Sequence, residues 1–311
     1  PASITVAIQT GDVTTLESLL KADGGGIGVP RPAQPFLCQA ALFCQPAAAR
    51  MLLQHGDPVN VKWGPDHLTP LLAACESSCP SVARVLLDHG ADPHAATANG
   101  VTPLMAAAWW GSQECVRLLL QHDPDLLAVD LNGHDGIYFA ASRGHVDCLR
   151  MLLEAGSEVG RRTIDGRTAL CAAARSGSVD CVKLLLKHGA EVNEAERRSG
   201  TPLVEASKHC HPEVLRVLLQ AGAKISMQAM EVAADHACPE AFRILLGAAN
   251  WPAERRMRCI QSCRNRVEKL MRDQMASDSF RARCEACLQV LKESESTQKE
   301  GVERDNAIHA P

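Results

Sequence analysis

An all-α solenoid of about seven to eight helix–turn–helix repeats, capped by a C-terminal helical hairpin, is the fold this 311-residue chain predicts. Three observations carry it. Thr69, Thr102, Thr168 and Thr201 fall on a common 33-residue grid, with Asp135 in the fifth place. Leucine pairs recur at the same step. Aromatic residues make up only 3% of the chain, four Trp, one Tyr and five Phe, so the core is built from Leu, Ala, Val and Cys, which favours helices.

The elements follow from the grid in order. Leu19-Leu20 and Leu52-Leu53 mark two N-terminal units, with one extra residue after the second. Leu86-Leu87, Leu119-Leu120, Leu152-Leu153, Leu185-Leu186 and Leu218-Leu219 mark the regular ones, and Leu245-Leu246 ends the series after a shortened step. Within a unit, Thr caps a helix and Pro suits its first turn, as in Thr69-Pro70-Leu71, Thr102-Pro103-Leu104 and Thr201-Pro202-Leu203. Ala106-Ala107-Ala108 allows close packing, and Gly111, like Gly144 and Gly177, turns the chain into a second helix. Gly90, Gly156, Gly189 and Gly222 close second helices in the left-handed conformation. No such unit buries its leucine face alone, so the units stack.

Gly166-Arg167-Thr168-Ala169-Leu170-Cys171-Ala172-Ala173-Ala174-Arg175-Ser176-Gly177, followed by Val182-Lys183-Leu184-Leu185-Leu186-Lys187-His188-Gly189-Ala190, resembles the ankyrin repeat. The resemblance covers residues 2–247 and implies paired antiparallel helices with β-hairpin fingers along one edge. It divides the array into degenerate repeats over 2–60, regular repeats over 61–224 and a short last repeat over 225–247. The family's His after Thr-Pro-Leu is replaced by Leu72, Met105, Cys171 and Val204. Asp135-Gly136-Ile137-Tyr138 departs from the motif altogether, which puts the local geometry of that repeat in question. Gly24 to Gly28 and Pro30 to Pro35 form an atypical linker between the first two units.

Past Trp251-Pro252 the grid stops. Met257, Ile260, Cys263, Val267 and Leu270 form one apolar stripe, and Phe280, Cys284, Cys287, Leu288 and Leu291 a second, predicting a helical hairpin over 252–293. Residues 294–311 read as a disordered acidic-polar tail. The hairpin region is basic, nine Lys and Arg against four acids over 253–283, while 1–252 holds 20 against 26. Arg255 to Arg272 has the composition of a calmodulin target, but Asn265 and Leu270 stand where an IQ motif needs basic residues; packing on the last repeat with solvated arginines accounts for it equally well.

The net charge of −4 argues against nucleic acid or an anionic membrane as the partner. No apolar run is long enough to span a bilayer. Pro1-Ala2-Ser3 has no signal-peptide core, and the missing Met reads as an excised fragment. Fourteen cysteines spread through helices point to a reducing compartment, cytoplasmic or nuclear, with most thiols acting as small buried hydrophobes.

Catalytic motifs are missing. No nucleophile elbow, P-loop or His-Glu-x-x-His occurs, and neither an enzyme nor a cofactor is expected. His55, His89, His122 and His188 occupy equivalent last-turn positions, where positive charge suits the helix dipole. His145 stands at the start of a second helix in the Gly-His place the family uses. Cys259, Cys263, Cys284 and Cys287 have spacings a tetrahedral zinc tolerates, but each pair lies in an apolar helical stripe without a knuckle, so no metal is expected.

The resemblance implies partner binding through the fingers and the inner face of the first helices. The two residues before each turn then become candidates: Glu76 and Ser77, Trp109 and Trp110, Ser142 and Arg143, Arg175 and Ser176, Lys208 and His209. The fingers add Trp63, Asp66, His67, Asn99, Asn132, His134, Asp165, Arg167, Arg197 and Arg198. The Trp109-Trp110 pair, with arginine nearby, has the composition of an interface hot spot, one ring exposed and the other half-buried. A monomeric protein-interaction scaffold or adaptor with an unidentified protein partner is the function expected. The alternative is a regulatory or targeting segment of a larger enzyme, channel or ubiquitin-ligase adaptor.

Overall fold

The computed structural model describes residues 2–22, 35–194, 200–272 and 277–308, the side chains of 2 and 297–308 excepted. Eighteen helices are present among them. In chain order, the first and second helices of successive repeats are α1 Ala2–Thr10 and α2 Val13–Ala22, α3 Phe36–Leu42 and α4 Pro46–Gln54, α5 Pro70–Glu76 and α6 Pro80–Asp88, α7 Pro103–Trp110 and α8 Gln113–Leu120. There follow α9 Gly136–Arg143 and α10 Val146–Glu154, α11 Ala169–Ser176 and α12 Val179–Lys187, α13 Pro202–Lys208 and α14 Pro212–Gln220, then α15 Met227–Asp235 and α16 Pro239–Ala248. Two longer helices close the series, α17 Ala253–Met271 and α18 Asp278–Ile308. The chain divides into two compact units, residues 1–164 and 165–311.

Capping explains where the first helices begin. Thr69, Thr102 and Thr168 have extended backbones and accept from the amides of Leu72, Met105 and Cys171. Each such cap is worth about 1 kcal/mol. Asp135 does the same from the Tyr138 amide at 2.8 Å, so the deviant repeat starts like the others. The substitution buries a carboxylate. Burial raises its pKa, and the Arg161 guanidinium 3.9 Å away supplies the compensating charge. Thr201 makes no side-chain cap, and its hydroxyl has no hydrogen-bond partner.

Within unit 1 the first helices α1, α3, α5, α7 and α9 pack in sequence, and the second helices follow the same order. Ala73, Ala74, Ala107, Ala108, Ala140 and Ala141 are fully buried between them. A larger residue at such positions would hold neighbouring helices apart. The leucines Leu52, Leu86, Leu119 and Leu152 fill the layer between first and second helices and are also buried. Unit 2 repeats the arrangement, with α11, α13 and α15 packed in sequence and α12, α14 and α16 in a second row. There α17 packs on α15 and α18 on α16, so the predicted hairpin covers the last repeat.

The fingers are short. Trp63 and Leu68 form an antiparallel bridge, and in the next two fingers Thr97 and Asp130 donate to the carbonyls of Val101 and His134. Successive fingers of unit 1 are tied by backbone hydrogen bonds of 2.9 Å from Ala98 to Asp66, Leu131 to Asn99 and Ile164 to Asn132.

Two expectations need correcting. The boundary drawn at Ser294 is not a break, because α18 continues to Ile308. Lys, Glu and Gln are good helix formers, so a polar composition does not end a helix that a buried first half has nucleated. The arginines of α17 are not all solvated: Arg266 pairs with Asp235 at 2.8 Å and Glu231 at 3.1 Å, and Arg264 with Glu295 at 2.7 Å. Residues 24–34 of the expected linker and Arg197 and Arg198 lie outside the described residues.

Candidate interaction surface

The residue before each turn is reached by the same helical register in every repeat, and its surroundings differ sharply. In unit 1, Trp110 is 53% exposed, while Trp109 is half-buried. The Trp109 ring meets Phe139 edge-on at 5.3 Å, and the Arg143 guanidinium lies 3.9 Å from its centroid. Such cation–π contacts are worth about 0.5–1 kcal/mol at exposed sites. Phe139 in turn neighbours Tyr138 and His134, and His134 stacks on Tyr138 at 4.3 Å. Phe139 stands where the neighbouring repeats carry Ala73, Ala106 and Ala172, a signal present in the sequence only once the registers are compared. Ser142 is half-buried and donates to the Phe139 carbonyl. Glu76 and Ser77 are half-buried, and Glu76 is raised above the usual carboxylate range by burial and then by the nearby Asp66.

The fingers of unit 1 hold several of the expected residues at the surface. Asp66, His67, Asn99 and Asn132 are exposed, and Trp63 is half-buried. His134 is not a free finger residue. Its ring pairs with Asp130 at 2.9 Å and its amide donates to the same carboxylate. Burial alone would raise the Asp130 carboxyl, but the bonds from the His134 amide and ring and the Asn132 amide outweigh it and hold it low. Sequence reasoning looked for polar finger residues and missed the aliphatic ones. Leu127, Leu131 and Ile164 are more than 60% exposed, and Val129 lies between the first two. The alternation Leu127-x-Val129-x-Leu131 is their sequence signal.

The inner helices of unit 2 carry charge instead. Glu205, at the register of Phe139, is 2% exposed. Its carboxylate lies 3.5 Å from Arg175 and 3.7 Å from His209, and neither oxygen accepts a hydrogen bond. Desolvation holds the His209 pKa below its ordinary value, against the pull of Glu205. His209 and Ser176 are exposed, Arg175 and Lys208 half-buried. Asp165 is exposed and Arg167 half-buried in the first finger of this unit.

The histidines at the ends and starts of helices act on backbone. His89 Nδ1 donates to the Val85 carbonyl at 2.8 Å, and His145 Nε2 to Trp109 at 3.1 Å. Cys259, Cys263, Cys284 and Cys287 are buried, and burial pushes Cys287 up to about 12. Cys263 is raised first by its hydrogen bond with Cys259 and then by burial. The same hydrogen bond lowers Cys259, so the two thiols of this pair are shifted in opposite directions. No group of three metal-ligating side chains converges among the described residues. No described helix is long and apolar enough to cross a membrane.

The comparisons with known proteins agree with this geometry. A family model of three ankyrin repeats matches residues 4–97, 37–130, 94–163 and 137–229. The crystal structure of the human ASB11 ankyrin repeat domain superposes with a TM-score of 0.63 at 31% identity, covering 70% of this chain and 99% of that one. The BTB/POZ domain and ankyrin repeat-containing protein NPR5 of Oryza sativa subsp. japonica is 47% identical over 59 residues, 19% of this chain. The match spans only 12% of that relative's length. The repeat grid, the capped helix pairs and these matches identify the chain as a member of the ankyrin-repeat family.

Proposed function

We propose that the chain is a non-catalytic protein-interaction module whose main contact is the aromatic inner face of unit 1. The observation that carries the reading is Trp110, a large apolar ring left 53% exposed next to a fixed aromatic cluster. Contiguous exposed apolar surface of this kind marks binding sites. Trp and Arg in company are the commonest hot-spot residues, because a rigid ring loses little entropy on docking. Asp66, His67, Asn99, Asn132 and the exposed Leu131 and Ile164 would frame the contact along the fingers. Unit 2, taken by itself, offers a polar surface of Arg175, Lys208, His209, Asp165 and Arg167.

The reading extends to a monomer, and to the cytoplasm or nucleus, where the ten free and buried thiols fit a reducing compartment and the disulfides Cys44–Cys79 and Cys210–Cys238 do not. A second reading, that the array is the recognition arm of a larger protein, is favoured by the rice relative, whose printed name joins such repeats to a BTB/POZ domain.

Trp110→Ala tests the proposal. Trp109 is the poorer probe, because its ring supports Phe139 and its loss would disturb the fold. Proteins captured by the wild-type chain are identified and one is purified and titrated. Affinity is expected to fall about 30-fold in Trp110→Ala, the scale of a hot-spot ring, with helical content and melting unchanged. Equal affinity in the two proteins would overturn the assignment.

A further inference from the structure

At junctions between consecutive repeats, the left-handed turn residue of one repeat lies under the side chain that begins the second helix of the next. A methyl group added at Gly11 would fall 2.7 Å from Gln45 Oε1, and one at Gly111 2.5 Å from His145 Nδ1. In unit 2, one at Gly177 would fall 2.6 Å from the His211 ring. A large side chain above thus requires glycine below. Two junctions break this rule in the same way. Cys44 and Cys210 hold the turn at φ +54° and +56°, a conformation that costs a side-chain-bearing residue energy glycine does not lose. Above them stand Cys79 and Cys238, with Cα separations of 5.5 and 5.6 Å, and each pair is joined as a disulfide. Those separations are ordinary for the bond. One pair ties the second repeat to the third, and the other the seventh to the eighth, so both fasten repeats near an end of the array.

We propose that these two pairs are a thiol–disulfide switch on the end repeats, set by exchange with a low-molecular-weight disulfide such as oxidised glutathione. Cys44 is exposed and Cys210 half-exposed, while Cys79 and Cys238 are buried, so the small disulfide meets the turn cysteine first. The Cys44 thiolate attacks one sulfur of the small disulfide; that S–S bond breaks, and one small thiolate leaves and takes up a proton. The Cys79 thiol loses its proton and attacks the Cys44 sulfur of the mixed disulfide, expelling the second small thiol. Two protein thiols are oxidised and one small disulfide is reduced to two thiols; excess small thiol reverses both steps. Cys79 is the residue at the start of α6, and its sulfur lies 3.3 Å from the Ser81 hydroxyl. The other ten cysteines are all buried, which confines the exchange to these pairs. With the clasps open, the terminal repeats are held by nearest-neighbour packing alone and are the first to open.

The full chain is equilibrated across a series of reduced-to-oxidised glutathione ratios, alkylated, digested and analysed for linked peptides, with amide hydrogen exchange measured in parallel. Two links are expected, Cys44 to Cys79 and Cys210 to Cys238, with the other cysteines alkylated. Amide exchange in α1–α4 and α15–α16 is expected to slow at least about tenfold on oxidation. Cys44→Ser and Cys210→Ser, which place in the turn the residue already tolerated at Ser78, should fold, lose their link and lose the slowing in their own end repeats only. Four thiols that stay alkylatable at every ratio in a chain folded by circular dichroism overturn the proposal. Links to other cysteines, or correct links without any change in exchange, overturn it equally.

Discussion

At one register of the inner helices, unit 1 carries Phe139 and unit 2 carries Glu205. Phe139 joins Trp109, Tyr138 and His134 in a cluster of rings, and the cluster leaves Trp110 facing solvent. Glu205 draws in Arg175 and His209, and its carboxylate is buried without a hydrogen bond. The same backbone therefore presents an apolar anchor in one unit and a charged cluster in the other. Apolar rings supply affinity by leaving water, while charged groups chiefly govern partner choice and encounter rate. The difference teaches that the scaffold sets where a side chain stands and the register residue sets what it contributes.

The comparison breaks most visibly at Phe139. Phe139→Ala restores the small residue of neighbouring repeats but removes the ring that supports Trp109. A fully buried Phe→Ala costs about 3–5 kcal/mol, and this half-buried ring is expected to cost about 2 kcal/mol, read as a lowered urea midpoint. A variant as stable as the wild type would show that the cluster is incidental to the fold.

Glu205→Ala should do the reverse. It also restores the small residue, but what it removes is a desolvated charge with distant partners and unsatisfied oxygens. Burying the carboxylate costs desolvation that partners at 3.5 and 3.7 Å offset poorly. Arg175 and His209 are exposed enough not to be left as buried charges, so a change between zero and about 1 kcal/mol of added stability is expected. Arg175 is already partly exposed and can turn to water when its partner goes. A loss of more than about 1 kcal/mol would mean that the ion pairs stabilise the repeat, contrary to their geometry.

The array was legible because its signals are local backbone requirements. Thr69, Thr102 and Thr168 announce caps, and Gly111 and Gly177 announce left-handed turns that a ring from the next repeat overlies. Asp135 looked like a break in the pattern and is not one, since a carboxylate oxygen accepts the Tyr138 amide as a threonine hydroxyl would. The surface was harder to read. His134 was assigned to the finger surface, but its ring belongs to the Asp130 carboxylate and the Tyr138 ring. Tyr138 stands out only as part of the departure from the motif, and Phe139 not at all, because an aromatic residue at a single register position carries no periodicity. The cysteine pairs, 35 and 28 residues apart, emerge only when turn and cap positions of consecutive repeats are superimposed.

The smallest effect sharpens the charged side of the comparison. His209 faces Glu205, Arg175, Lys208 and His211, and its pKa is held below the ordinary value first by desolvation. A histidine depressed in the folded state binds its proton more readily when the chain unfolds. Stability is therefore complete above the unfolded value near 6.5 and declines as pH falls through it toward the lower folded value. His209→Gln should flatten the fall in urea midpoint between pH 7.5 and pH 5.5 without altering the midpoint at the upper end. Glu205 is the neighbour that raises this histidine, so Glu205→Ala should steepen the same fall. Were both variants to keep the wild-type slope, the charged cluster of unit 2 would be a set of solvated neighbours, and its contrast with the rings of unit 1 one of composition alone.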